Sequence, residues 1–500
     1  MISLGQLRAL VALRWQMVRS GRTRTGLLLL LAGVVLLIIV AALASRLVPP
    51  RLISNARLLT PTAFAGFAVL ALVAPLAAGG GNELFPADQL VGYPIRPATT
   101  FLASVAVAPL NLAWLSQLLL LTTLTGAVTH KPYLMALSLA TTYAYVAFIT
   151  VLGQTIAWAV IGIRQSRAGR AVIWSLAAGL ILATAVAVRQ GYTGRVLDRL
   201  PTTTVVVTVL QGGQGLYLSW ARGFLELVAV AAVLPLLGVR TCTWALRRPG
   251  VGIRRNDRPV RRRSPAQGPL SALRRTDRSS VWRTPSLRRG ALVLMLLPAL
   301  AAVSLGVSWN SLVLLPGLVA AGTGLLFGVN AFCLDASGAL WLASLPHRPA
   351  LAAVAKAWVV LETCLLAIVA VVVAAAIRAT TAPTGPQIAA LVVASAACAL
   401  WVTATCMKLS VSHPHRADLR GARDTPAPPG SMAIYSARLA VSTTLIGMSV
   451  SAGAYAGSWI LSILIGVPVL LLGGRSLVRT VNTYKSLPVR ARVVQTVASG

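Results

Sequence analysis

Two stretches decide the fold: Glu83-Leu-Phe-Pro-Ala-Asp-Gln-Leu90-Val-Gly-Tyr-Pro94-Ile-Arg96-Pro97 and Asp335-Ala-Ser-Gly-Ala-Leu-Trp-Leu342-Ala-Ser-Leu-Pro346-His-Arg348-Pro349. A shift of 252 positions lays an acid on an acid, Leu90 on Leu342, and Pro-x-Arg-Pro on Pro-x-Arg-Pro. Each stretch is preceded by one long apolar run and followed by another. Like loops at like places between membrane-length segments predict two equivalent halves.

The surrounding composition is that of a membrane protein. Mean hydropathy is +0.78 and only 11% of the 500 residues are charged. Apolar runs of about 18 residues or more recur along the chain, long enough for a helix to cross hydrocarbon. The formal charge of +35 is spread between those runs and forms no compact basic domain, so nucleic acid is not an expected partner. The five cysteines, Cys242, Cys333, Cys364, Cys398 and Cys406, lie in or beside apolar segments and read as small buried side chains. Arg14, Arg19, Arg22 and Arg24 precede an uncharged run too long for a signal-peptide core, which reads as a retained first span.

The expected fold is an all-α polytopic membrane protein with about 12 transmembrane helices in two parallel six-helix repeats. The first half (1–246) holds spans at 25–45, 61–80, 98–128, 133–163, 171–188 and 222–246. The third is longer than a bilayer needs and carries Pro109. Residues 247–289, with fourteen arginines and five prolines, are expected to be a basic cytoplasmic linker. The second half (290–474) holds spans at 290–308, 311–333, 351–377, 387–410, 433–453 and 458–474, and 475–500 is a cytoplasmic tail. With both termini on the cytoplasmic side of the cell membrane, and Arg222 and Arg438 at span starts counted in the loops before them, inner segments carry 33 Lys and Arg and outer loops 9. The positive-inside rule therefore favours this orientation. Arg240, Lys356 and Lys408 fall within spans near their inner ends, where long side chains snorkel to the interface.

Both repeated loops then face the cytoplasm. From each acid to its Pro-x-Arg-Pro run eleven residues, Glu83–Tyr93 and Asp335–Leu345, enough for a short helix with the acid on its positive dipole end. Pro94 and Pro346 would end that helix, and Pro97 and Pro349 suit the first turn of the next. Leu84, Phe85, Leu90, Leu340, Trp341 and Leu345 offer apolar contacts. The alternatives are a stiff lever that passes force from a soluble partner to the spans, or two tight turns.

A basic, partly amphipathic leader (Leu4, Leu7, Arg8, Leu10, Val11, Arg14, Trp15, Arg19) followed by six spans with an acidic short-helix loop after the second resembles the permeases of type 2 ABC exporters. Here two such units would be fused in one chain. The resemblance implies that the two loops are coupling helices docking on an ATP-binding cassette subunit, two copies per chain, with Glu83 and Asp335 at the position of the acid found there. Coupling would involve Leu90, Pro94, Arg96 and Pro97 in one loop and Leu342, Pro346, Arg348 and Pro349 in the other. It also implies outward transport of a hydrophobic or amphipathic substrate.

No Gly-x-x-x-x-Gly-Lys-Ser/Thr stretch occurs, since none of Lys131, Lys356, Lys408 or Lys485 follows a glycine, so ATP would have to be handled by a separate subunit. No catalytic site, cofactor or metal is expected, and His413-Pro-His415 with Asp418 falls short of a convincing ligand set. Glu362, well inside the 351–377 span, is the candidate for a substrate pathway, or else a packing acid. The other reading is a secondary active transporter of the major facilitator kind. That family has six plus six spans, but the sequence Gly-Gly-Gly-Asn-Glu-Leu-Phe-Pro-Ala-Asp ending at Asp88 does not carry its glycine- and arginine-rich loop signature.

Overall fold

The computed structural model describes residues 60–69, 96–107, 112–129, 131–164, 199–248, 266–305, 308–379, 381–417 and 426–499, with scattered residues elsewhere before 199. The chain divides into two compact units, Met1–Asn256 and Asp257–Gly500. The described residues of both are helical. Six helices among them are long and apolar enough to cross a membrane: Met135–Ile163, Tyr217–Leu246, Trp309–Leu334, Pro349–Ile377, Gly385–Ser412 and Trp459–Lys485. The spans expected at 25–45 and, largely, 171–188 lie outside the described residues.

The first unit contains α1 (Pro97–Val107), α2 (Leu112–Val128), α3 (Met135–Arg164), α4 (Pro201–Gln214) and α5 (Tyr217–Leu246), with a further helical piece at 60–69. The single helix expected over 98–128 is thus described as two, with Pro109 outside the described residues. α3 lies at the centre, and hydroxyls tie its neighbours to it. Tyr145 donates to the Phe64 carbonyl at 2.8 Å, Ser138 to the Val209 carbonyl at 2.9 Å, and Trp114 and Trp220 to Thr150 and Thr141, both at 2.9 Å. Such bonds suit a helix bundle in lipid, where apolar side chains gain little by leaving an apolar solvent.

The second unit contains α6 (Pro269–Arg283), α7 (Pro285–Leu305), α8 (Trp309–Leu312), α9 (Leu315–Leu326), a 3₁₀ stretch (Gly328–Leu334), α10 (Gly338–Ser344), α11 (Pro349–Arg378), α12 (Gly385–Ser412), α13 (Pro429–Tyr455), α14 (Trp459–Lys485) and α15 (Leu487–Ala498). α12 is the core. Its Ala390, Ala394, Ala397, Cys398, Val402 and Cys406 are buried, and α9, α13 and α14 pack around it. All five cysteines are buried thiols, four of them in this unit. Small residues bring the backbones close. A Cβ on Gly324 of α9 would meet Val402 at 2.6 Å, and one on Gly466 of α14 would run into Val393.

Two features of this unit depart from the sequence reading. Part of the stretch expected as a linker is a helix, α6, because Asp277 and Val281 find buried places against α11 in spite of the arginines around them. The stretch expected as a tail continues α14 to Lys485 and then folds as α15, whose Val493 and Val497 are buried. The final apolar stretch, expected as two spans, forms two helices, α13 and α14, of which α14 is among the six long and apolar enough to cross a membrane. The two join at Gly457, whose φ of +66° is a left-handed turn that glycine adopts without strain.

Replacing Gly466 with Leu should push α14 off α12 at a cost of about 1–3 kcal/mol. A lower unfolding temperature of the detergent-solubilised protein would register it, and an unchanged midpoint would contradict the close approach.

Candidate functional site

The second repeated loop lies within the described residues. After α9 the chain leaves the α-helix for the 3₁₀ stretch, where Asn330 has φ −143° and ψ 57°. Irregular backbone at this depth survives because its polar groups find partners. The Ser410 hydroxyl of α12 accepts the Ala331 N–H at 2.9 Å and lies 2.9 Å from the Gly328 carbonyl. The Asn330 amide donates to the carbonyls of His415 and Pro426, both at 2.7 Å. The break ends at Asp335, and Ala336, with φ +45°, turns the chain into α10.

Asp335 points at Lys356, on the second turn of α11. The Lys356 ammonium lies 2.9 Å from the Asp335 carboxylate and 3.0 Å from that of Asp277 on α6. The lysine side chain is 1% exposed, those of Asp277 and Asp335 7% and 14%. The snorkelling expected for Lys356 therefore gives way to burial between two acids. The ammonium also sits 5.6 Å from the centre of the Phe332 ring, which stacks on Tyr484 of α14 at 4.6 Å. Burial, with the neighbouring Asp335 charge, pushes the Asp277 carboxyl above the ordinary carboxylate range against the pull of Lys356.

The expected placing of the acid on a helix dipole is not what the chain does. α10 begins three residues after Asp335 and spans seven residues, not eleven, so the carboxylate serves the lysine instead. The prolines act as expected: α10 ends at Ser344 before Pro346, and Pro349 opens α11 after the exposed Arg348. α10 displays Leu340 and Trp341 to the outside, at 56% and 69% exposure. Its other side, with the half-buried Leu342, borders a cavity of about 320 Å³ closed by Tyr484, Arg490 and Val497.

In the first loop, Glu83, Leu90 and Pro94 lie outside the described residues, Arg96 is exposed and Pro97 opens α1. Glu362 is held by Arg278 of α6 at 2.6 Å, which gives the candidate pathway acid a structural partner. Arg274 lies over the ring of Trp358, 4.3 Å from its centre. His415 Nε2 is 3.2 Å from the Tyr435 hydroxyl, and partial burial together with His413 lowers its pKa. No family model, curated protein or solved structure matches the chain.

Lys356→Met would strand two acids and should cost about 3–5 kcal/mol of stability, while the triple change with Asp277→Asn and Asp335→Asn should recover most of it. Thermal unfolding of the two variants checks the pairing, and a single variant as stable as the wild type would refute it. His415 supplies a pH test. Because its folded pKa lies below the unfolded one, its contribution to stability is present above about pH 6.5 and lost as pH falls. His415→Gln should flatten the unfolding midpoint between about pH 7.5 and about pH 5, either side of the usual imidazole pKa; an unaltered slope would rule out this histidine as the source.

Proposed function

We propose that this chain is the permease of an ABC exporter, with two six-span halves in the cell membrane and both termini in the cytoplasm. It would move a hydrophobic or amphipathic substrate outward on ATP hydrolysed by a separate subunit, two copies per chain. The observation that carries this reading is α10: an exposed apolar helix whose loop is fastened by Asp335 to Lys356 of a membrane-length helix. A partner that covers Leu340 and Trp341 gains apolar burial. When it moves α10, the buried ion pair passes the displacement to α11, and the Phe332–Tyr484 stack passes it to α14. The doubling draws support from helix starts. Pro97 and Pro349, 252 positions apart, each open a helix, and the long helices that follow next begin at Met135 and Gly385.

Co-purification with the ATP-binding subunit tests this. The wild-type chain should retain it, and Leu340→Asp with Trp341→Asp should weaken retention about thirtyfold, as loss of an aromatic interface anchor does. The same pair should leave the elution profile of the chain unchanged. Replacing Glu83 and Asp335 by Ala should reduce vanadate-sensitive ATPase coupling. Wild-type protein that retains no ATP-binding subunit, or variants that retain it fully, would defeat the reading.

A further inference from the structure

α15 lays one stripe of side chains toward α10. Its Arg490, Val493, Val494 and Val497 recur at the three- and four-residue spacing of a single helix face, and Ala339 and Leu342 do the same on α10. The two helices are in contact, yet the chamber of about 320 Å³ is enclosed beside that contact. Close-packed interiors hold few voids larger than a water molecule, and a space of this size falls within the range of small-molecule sites.

Its lining is of two kinds. The three valines, Ala339 and Leu342 are apolar, whereas Arg490, His347 and Tyr484 bring a guanidinium, an imidazole and a phenol. The Asp335 carboxylate also borders the chamber, but Lys356 meets its charge at 2.9 Å. Tyr484 is 4% exposed, with its ring stacked on Phe332. Among the described residues its hydroxyl makes no hydrogen bond, although a buried phenol ordinarily finds one. Among the same residues Arg490 enters no ion pair, and its charge, fixed at any ordinary pH, reaches the Tyr484 phenol.

We infer that this chamber is a binding site for a compact apolar carboxylate, an aromatic or short-chain acid, with its carboxylate between Arg490 and the Tyr484 hydroxyl and its apolar body against Leu342, Val493 and Val497. Guanidinium and phenol are both donors, and a carboxylate accepts from two donors at once. Neither half of such a ligand suffices alone. A neutral apolar molecule would leave the donors unanswered, and a small free anion would leave the valines uncovered. The site is independent of the transport reading, since it needs only the fold of the second unit.

The test uses the full-length chain in detergent, dialysed to equilibrium against phenylbutyrate or its uncharged counterpart phenylbutyramide, with uptake by empty micelles subtracted. Phenylbutyrate should bind about tenfold ahead of the amide, and acetate at equal concentration should not displace it. It should also raise the unfolding temperature, because the chamber exists only in the folded chain. Arg490→Gln should weaken phenylbutyrate binding about tenfold or more, as loss of a hydrogen bond from a charged group does, and Arg490→Lys should restore part of the loss. Tyr484→Phe keeps the ring on Phe332 and should weaken binding severalfold. Val494→Phe, which fills the chamber from its half-buried edge, should abolish it. If Arg490→Gln does not fold, Tyr484→Phe carries the comparison. Equal binding of acid and amide, full displacement by acetate, or an unchanged affinity in the folded variants would each overturn the assignment.

Discussion

A lysine in the wall of a membrane-length helix is expensive to bury, and the second unit is arranged around meeting that cost at Lys356. Asp277 comes from α6 and Asp335 from the end of the 3₁₀ stretch, so one ammonium fixes two other segments relative to α11. A buried ion pair adds little net stability against an apolar replacement, but losing one partner is severe. Its value here is positional. The loop that displays α10 cannot lift away from α11 without exposing or stranding a charge, so the two are held as one piece.

The break after α9 follows from the same requirement. Had α9 continued, residue 335 would lie about 13 Å further along the helix axis, nine residues at 1.5 Å each. The change to 3₁₀ geometry, followed by the positive φ of Ala336, brings its carboxylate beside the second turn of α11 instead. Irregular backbone needs partners, and α12 supplies Ser410 while the chain after it supplies the carbonyls that hold Asn330. The central helix of the unit is therefore also the template for the loop.

Hydropathy made the long helices legible, and Pro346 and Pro349 marked where α10 stops and α11 starts. Lys356 was hidden because a lysine near a span end ordinarily snorkels. Nothing local in Asp277 says that it will cross to a helix 79 residues away. α6 was hidden for a related reason: with arginine at four of its fifteen positions, its buried face comes down to Asp277 and Val281, too few to show a period. The available signal was charge arithmetic. A lone lysine in an apolar run, within a half that carries few acids, calls for one of them. The acid on the helix dipole failed on turn geometry, since no residue in Asp-Ala-Ser-Gly announces a positive φ at alanine.

The pairing also bears on how alike the two loops can be. The position 252 residues before Lys356 is Ser104, whose hydroxyl donates to the Phe101 carbonyl at 2.7 Å within its own helix. A serine that satisfies itself locally cannot anchor a loop acid as Lys356 does. Pro97 opens α1 as Pro349 opens α11, but no lysine stands at the position in α1 that corresponds to Lys356.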